Sequence, residues 1–118
     1  MYLFVYGTLK SDGRTPYLKA SKLISNATTV DKFALYPNLS HSYPCLVEHP
    51  LYHIQGELYE IDKKTLIKLD IYEGAPTLFK QTNIQVTDGT NTYDAITYLI
   101  ADRSEVSFDS DPLFYWNN

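Results

Sequence analysis

The feature of this sequence best suited to chemistry is a carboxylate at the end of an apolar helical stripe. The stretch Asp62 to Pro76 reads as a short helix with both ends marked. Asp62 suits an N-cap, because its carboxylate can accept from a free first-turn N–H. Gly74 suits a C-terminal stop, since glycine enters the left-handed conformation without a Cβ clash. Pro76 keeps the helix from resuming. At about 100° per residue, Leu66 and Glu73 lie only about 20° apart around the axis, with Leu69 beside them. The stripe that faces the core therefore ends in Glu73, at the helix end where the backbone dipole disfavours negative charge. Burial would raise its carboxyl pKa further, and a raised carboxyl is what a general base or acid needs near neutral pH. The competing reading is a frayed last turn with Glu73 turned to solvent.

A second candidate lies at Gly7-Thr8-Leu9-Lys10, directly after the apolar run Tyr2 to Tyr6. Glycine there lets the backbone turn sharply, and successive N–H groups in such a turn can form a concavity for a carboxylate or phosphate. An ordinary tight turn would give the same pattern. A third coincidence is the spacing of four between His41, Cys45, His49 and His53. On a helix these would share a face and could ligate a metal. Pro44 and Pro50 interrupt the span, and no recognised ligand pattern fits, so no metal site is expected. Tyr43 to Val47 is better read as lining the core or the rim of a pocket.

The elements that must position these residues follow from periodicity. Tyr2 to Tyr6 has the pattern of a strand buried on both faces. After a turn at Ser11 to Arg14, Thr15 to Ile24 reads as a helix, with Thr15 as N-cap, Pro16 in the first helical position and Tyr17, Leu18, Leu23 and Ile24 as its apolar contacts. Thr28 to Tyr36 reads as a strand packed through Val30, Phe33 and Leu35. Asn38 to His53 reads as a loop with a short extended piece. His53 to Ile61 is a strand in which Gly56 marks a bulge or a close backbone approach. Phe79 to Thr87 alternates as a half-exposed strand, Asp88-Gly89 is a hairpin signal, and Thr92 to Ile100 is the partner strand. These elements make five or six strands and two helices: an α+β fold with a small, mixed, largely antiparallel sheet that curls or closes.

Length and charge narrow the function. A chain of 118 residues is expected to form one domain over 1–118. The net charge is −4 and no Lys/Arg run exists, which argues against nucleic acid as partner. The eleven tyrosines fit strand formation better than base stacking. The single cysteine, Cys45, makes no internal disulfide, and neither a signal peptide nor a membrane span is visible, so a cytoplasmic protein without membrane contact is expected. The segment after Asp102 is acidic and then aromatic. It either folds back on the barrel or covers a neighbour, a second copy in a homodimer being one such neighbour.

Taken together, Phe4-Val5-Tyr6-Gly7-Thr8-Leu9-Lys10, Gly56-Glu57-Leu58-Tyr59 and Leu69-Asp70-Ile71-Tyr72-Glu73-Gly74 resemble the γ-glutamylcyclotransferase-like family, especially its short members similar to γ-glutamylamine cyclotransferase. The resemblance covers nearly the whole chain up to about Asp102. It implies a small mixed β-barrel with flanking short helices. It also implies an enzyme that releases 5-oxoproline from γ-glutamyl amines or γ-glutamyl amino acids without metal or cofactor. The family's Tyr-Gly-[Ser/Thr]-Leu loop falls on Tyr6, Gly7, Thr8 and Leu9, which would hold the substrate carboxylate, and its essential glutamate falls on Glu73. The α-amine of the substrate would attack the γ-carbonyl, with Glu73 moving the proton. One departure stands out. Family enzymes commonly carry a tyrosine followed by a basic residue after the glutamate, and the nearest match is Phe79-Lys80. Phe79 keeps the ring but lacks the hydroxyl, which implies a slower enzyme, another substrate, or a non-catalytic member that binds a small carboxylate in the same pocket.

Overall fold

The computed structural model describes residues 1–13 and 15–118, and Arg14 lies outside the described residues. Among the described residues seven strands form: β1 (Tyr2–Val5), β2 (Lys22–Thr29), β3 (Phe33–Pro37), β4 (Pro44–Tyr52), β5 (Gln55–Glu60), β6 (Phe79–Thr87) and β7 (Thr92–Ile100). One helix, α1 (Lys63–Tyr72), lies between β5 and β6. Five strands close into a barrel in the order β1-β5-β2-β6-β7, and β3 and β4 make a separate two-stranded sheet. All pairings are antiparallel except β1 with β7, where Leu3 lies opposite Ile96. The expected small, mixed, largely antiparallel barrel is therefore the architecture.

The barrel is arranged around β1. Leu3 and Val5 pack into one hydrophobic cluster and Phe4 and Tyr6 into another, so both faces of the strand are buried, as its unbroken apolar run requires. β5 lies against β1 closely. A Cβ on Gly56 would stand 2.3 Å from the Val5 carbonyl oxygen and 2.7 Å from Cζ of Phe4. Gly56 thus marks a close approach and not a bulge; the register shift in this sheet falls between Leu23 and Ser25 of β2. β6 and β7 pair in continuous register from Phe79–Ile100 to Thr87–Thr92, with the bounds that alternation predicts. Asp88 caps the connecting loop by accepting from the N–H groups of Thr90 and Asn91 at 2.8 and 2.7 Å.

The structure corrects three parts of the sequence reading. No helix forms over Thr15 to Ile24. Two turns precede β2, and of the four expected apolar contacts only Leu18 is buried. The edge of β5 offers pairing partners from Lys22 to Thr28, and tertiary pairing outweighs a weak local helix preference. Thr28 to Tyr36 is not one strand: it joins the end of β2 to β3 through a turn, and Val30 is exposed while Phe33 and Leu35 are buried. Nine residues of the expected loop form β4. Its two prolines are tolerated because a two-stranded sheet leaves the outer N–H row unpaired. Cys45, Leu46 and Val47 of β4 are fully buried, whereas His49 is exposed. Two of the histidines go to separate partners: His49 Nδ1 meets Tyr36 Oη at 3.1 Å and His53 Nδ1 meets the Thr29 carbonyl at 3.0 Å. Among the described residues no three potential ligands gather.

The segment after Asp102 folds back on its own chain. A 3-10 turn spans Arg103–Glu105, Leu113 bridges to Leu35, and the Phe114 carbonyl accepts from Gln55 N–H at 2.9 Å. Among the described residues, no helix is long and apolar enough to cross a membrane.

Gly56→Ala drives a methyl group into the Val5 carbonyl and the Phe4 ring. We expect it to lower stability by about 2 to 3 kcal/mol, as overpacking against backbone does. Urea unfolding followed by near-ultraviolet circular dichroism will measure the loss.

Candidate active site

Helix α1 places the carboxylate. Asp62 caps it, accepting from Thr65 N–H at 2.8 Å, and the helix ends at Glu73, whose N–H donates to Leu69 O at 2.8 Å. Gly74 follows at φ 64°, in the left-handed conformation that glycine adopts without strain. Leu69 is fully buried and sets the face of the helix that meets the core. Asp70 then ties the helix to the barrel wall. Tyr98 Oη on β7 donates to it at 2.6 Å, and Gln81 Nε2 on β6 donates to both oxygens at 2.6 and 2.8 Å.

One turn after Leu69, Glu73 lines a cavity of about 230 Å³. Tyr6, Gly7, Thr8, Leu9 and Phe79 line it as well, so all six residues singled out in the sequence meet at one place. Glu73 is half-buried, and among the described residues its carboxylate makes no hydrogen bond or ion pair. Burial pushes its carboxyl up to about 7. Asp70 and Glu73 thus divide the work of one helix end: one carboxylate is held by donors, the other faces the cavity with no partner among the described residues.

The loop after β1 forms the opposite polar element. Lys10 N–H closes the turn onto Gly7 O at 3.1 Å. Among the described residues, the N–H groups of Gly7, Thr8 and Leu9 donate to no protein atom. Gly7 is required by the neighbouring strand, since a Cβ there would stand 2.6 Å from Cγ of Pro44. The Leu9 side chain belongs to the hydrophobic core, which leaves its backbone as its polar contribution. The hydroxyl of Thr8 lies 3.0 Å from that of Tyr72, joining loop to helix. Tyr6 is buried, and its hydroxyl donates to Tyr98 O at 2.5 Å. Burial and then the nearby Glu73 charge hold that phenol well above its ordinary range. Tyr6 therefore supports the cavity wall, and its hydroxyl is not free for a ligand.

The rest of the lining comes from Tyr43, Pro44, Tyr72, Leu78, Tyr98 and, on β1, Phe4 and Val5. Phe79 is buried, with its ring centroid 6.0 Å from that of Tyr43. The sequence left Tyr43 to Val47 between core lining and pocket rim; Tyr43 and Pro44 line the cavity, Cys45 to Val47 are core, and Tyr72, Leu78 and Tyr98 were missed. Tyr98 sits in an apolar strand where a tyrosine reads as ordinary core. Tyr72 had a local signal, being next to Glu73 at the helix end. No lysine or arginine lines the cavity among the described residues. Cys45 is buried, and burial followed by the Glu105 and Glu73 charges pushes its thiol up to about 12. It is therefore no nucleophile at neutral pH.

The chain as a whole resembles known proteins. Residues 3–117 match the family described as gamma-glutamyl cyclotransferase, AIG2-like. The chain belongs to this family. The match includes the segment after Asp102, which the sequence resemblance had left out. A Methanocaldococcus jannaschii protein whose name places it with the gamma-glutamylcyclotransferases is 40% identical over 88 residues, covering 72% of this chain and 71% of that protein. The gamma-glutamylaminecyclotransferase of Rattus norvegicus is 33% identical over 93 residues, covering 72% of this chain and 62% of the rat protein. Among solved structures, an AIG2-like protein from Mus musculus superposes with a TM-score of 0.75 at 28% identity, covering 85% of this chain and 76% of the mouse chain.

The Glu73 environment has a consequence for stability. Its folded pKa lies above the ordinary carboxyl value of 4.5, so the folded state binds the proton more tightly than the unfolded state does. The stability this contributes is fully present below the ordinary carboxyl range and is lost as the pH rises through about 7. Glu73→Gln removes the ionisation. We expect it to gain on the wild type between pH 4.5 and pH 8 by on the order of 1 kcal/mol, solvent screening of a half-exposed group considered. Denaturation midpoints of both proteins at the two pH values will read the difference.

Proposed function

We propose that this protein is a γ-glutamyl cyclotransferase that cleaves γ-glutamyl amines to 5-oxoproline and the free amine. One observation carries the reading: a burial-shifted Glu73 carboxyl and a loop of N–H groups, both without partners among the described residues, line the same small cavity. Family membership supports the reaction type.

The loop at Gly7 to Leu9 grips the α-carboxylate of the glutamyl group through its N–H groups. The aromatic walls then hold the substrate chain curled, bringing the α-amine against the γ-carbonyl carbon. Both reactive groups belong to one molecule, so a near-attack pose supplies much of the acceleration. The α-nitrogen forms a bond to the carbonyl carbon and closes the five-membered lactam. Glu73 accepts the proton that the α-nitrogen loses, then delivers it to the departing nitrogen as the old C–N bond breaks. A carboxyl titrating near 7 suits both transfers, because it is partly ionised at neutral pH and still acidic enough to return the proton.

The lining favours amines over amino acids as leaving groups. A leaving amino acid carries a carboxylate into a space lined by Tyr43, Leu78 and Phe79, with Glu73 nearby and no lysine or arginine in the lining among the described residues. An alkyl amine is neutral or cationic there and meets aromatic faces, which accept both.

The test is mass-spectrometric detection of 5-oxoproline from a panel of γ-glutamyl alkylamines, γ-glutamyl amino acids and glutathione. Wild type is expected to form lactam, with kcat/KM for the alkylamines at least about tenfold above that for the amino acids, the range that one unmatched charge produces. Glu73→Gln is expected to lose about 10²-fold or more in kcat, the usual scale of general acid–base catalysis. The acid limb of the wild-type profile should rise to a plateau above pH 7, following ionisation of Glu73. Binding of 5-oxoproline with no turnover of any panel member would transfer the assignment to a non-catalytic carboxylate binder, the reading that Phe79 motivates.

A further inference from the structure

We infer that the segment Tyr115 to Asn118 is a strap that sets the geometry of the Gly7–Lys10 turn, and so positions the anion-gripping loop of the proposed site. Both ends of that turn are held by this segment. At one end, Asn118 Nδ2 donates to Gly7 O at 3.0 Å, sharing that oxygen with Lys10 N–H, and donates to Asp12 Oδ1 at 2.8 Å. At the other, Lys10 Nζ donates to Trp116 O at 2.6 Å and lies 3.8 Å from the centroid of the Tyr115 ring.

Lys10 is the decisive residue. A lysine is rarely buried, yet this one is only 3% exposed. Its compensation comes mainly from the strap: a carbonyl oxygen and an aromatic face, with Asp12 Oδ1 more distant at 3.9 Å. Without Tyr115 and Trp116 the ammonium would lose its closest partners, and an unpaired charge leaves a buried site for water. Lys10 directly follows Leu9, so its departure would pull the turn open. The strap has its own anchor upstream, since Leu113 pairs with Leu35 and Phe114 O accepts from Gln55 N–H. Removing residues 115–118 therefore leaves that anchor in place. The strap makes a positioning contribution; it is not among the residues that line the cavity.

The inference rests on the loop's proposed role in binding, and its test separates the two. A chain ending at Phe114 and the single variant Asn118→Asp, which keeps the side-chain size and removes the donor, are compared with wild type. The first readout is amide exchange by NMR at Lys10, whose N–H closes this turn onto Gly7 O, and at Gly13, whose N–H bonds to Lys10 O in the turn that follows. We expect exchange to quicken about tenfold or more at these two sites, with Leu58 and Tyr98 of the barrel unchanged. The second readout is lactam kinetics: KM should rise about tenfold while kcat stays within about twofold, since the strap supports binding and not proton transfer. Unchanged exchange at Lys10 and Gly13 in both variants overturns the strap. If the shortened chain loosens throughout, Asn118→Asp decides alone. If wild type forms no lactam but the turn opens without the strap, the proposed function falls and the strap stands.

Discussion

The site depends on how α1 is fixed to the barrel. Leu69 enters the core and Asp70, the next residue, accepts from Tyr98 and Gln81 on two adjacent strands. A buried apolar side chain fixes the depth of the helix, and directional hydrogen bonds to a carboxylate fix its rotation. With both set, Glu73 has little freedom: it must enter the cavity beside β1. If the helix turned by one residue, the carboxylate would face water and its pKa would return to the ordinary range.

The same economy holds on the opposite wall. β1 is buried on both faces, so the chain leaving it begins in the middle of the molecule. Gly7 allows the turn to pass against Pro44, and Gly7 to Leu9 line the cavity with N–H groups that donate to no atom of the described residues. Undonated N–H groups beside a low-dielectric space are costly unless something accepts from them. A carboxylate is an acceptor that could satisfy them, in keeping with the role proposed for this loop. Tyr6 and Tyr98 brace the two walls against each other through a single buried hydrogen bond.

The neighbouring carboxylates also show why residue type alone does not assign a role. Asp70 and Glu73 are three residues apart on one helix. Donors from two strands surround Asp70, whereas tyrosines and apolar side chains surround Glu73. Their environments separate a structural anchor from a group able to exchange a proton near neutrality.

What the sequence determined by itself was everything encoded by local rules. The Asp62 cap, the Gly74 stop, the unbroken apolar run of β1 and the alternation of β6 and β7 each follow from a few adjacent residues, and each stands in the structure. Glu73 was readable because helical periodicity alone puts it in line with Leu66 and Leu69. Tertiary structure decided the rest. Lys22 to Thr29 became a strand because β5 offered an edge to pair with, and Pro44 to Tyr52 became one because β3 did. Strand pairing is a contact between distant segments, and no local propensity reports it. The roles of Asp70 and Tyr98, and the return of Tyr115 to Asn118 onto Lys10, belong to the same class. Their partners lie at least eleven residues away in the chain, and in the case of Lys10 and Trp116 more than a hundred, so only the folded arrangement could bring them together.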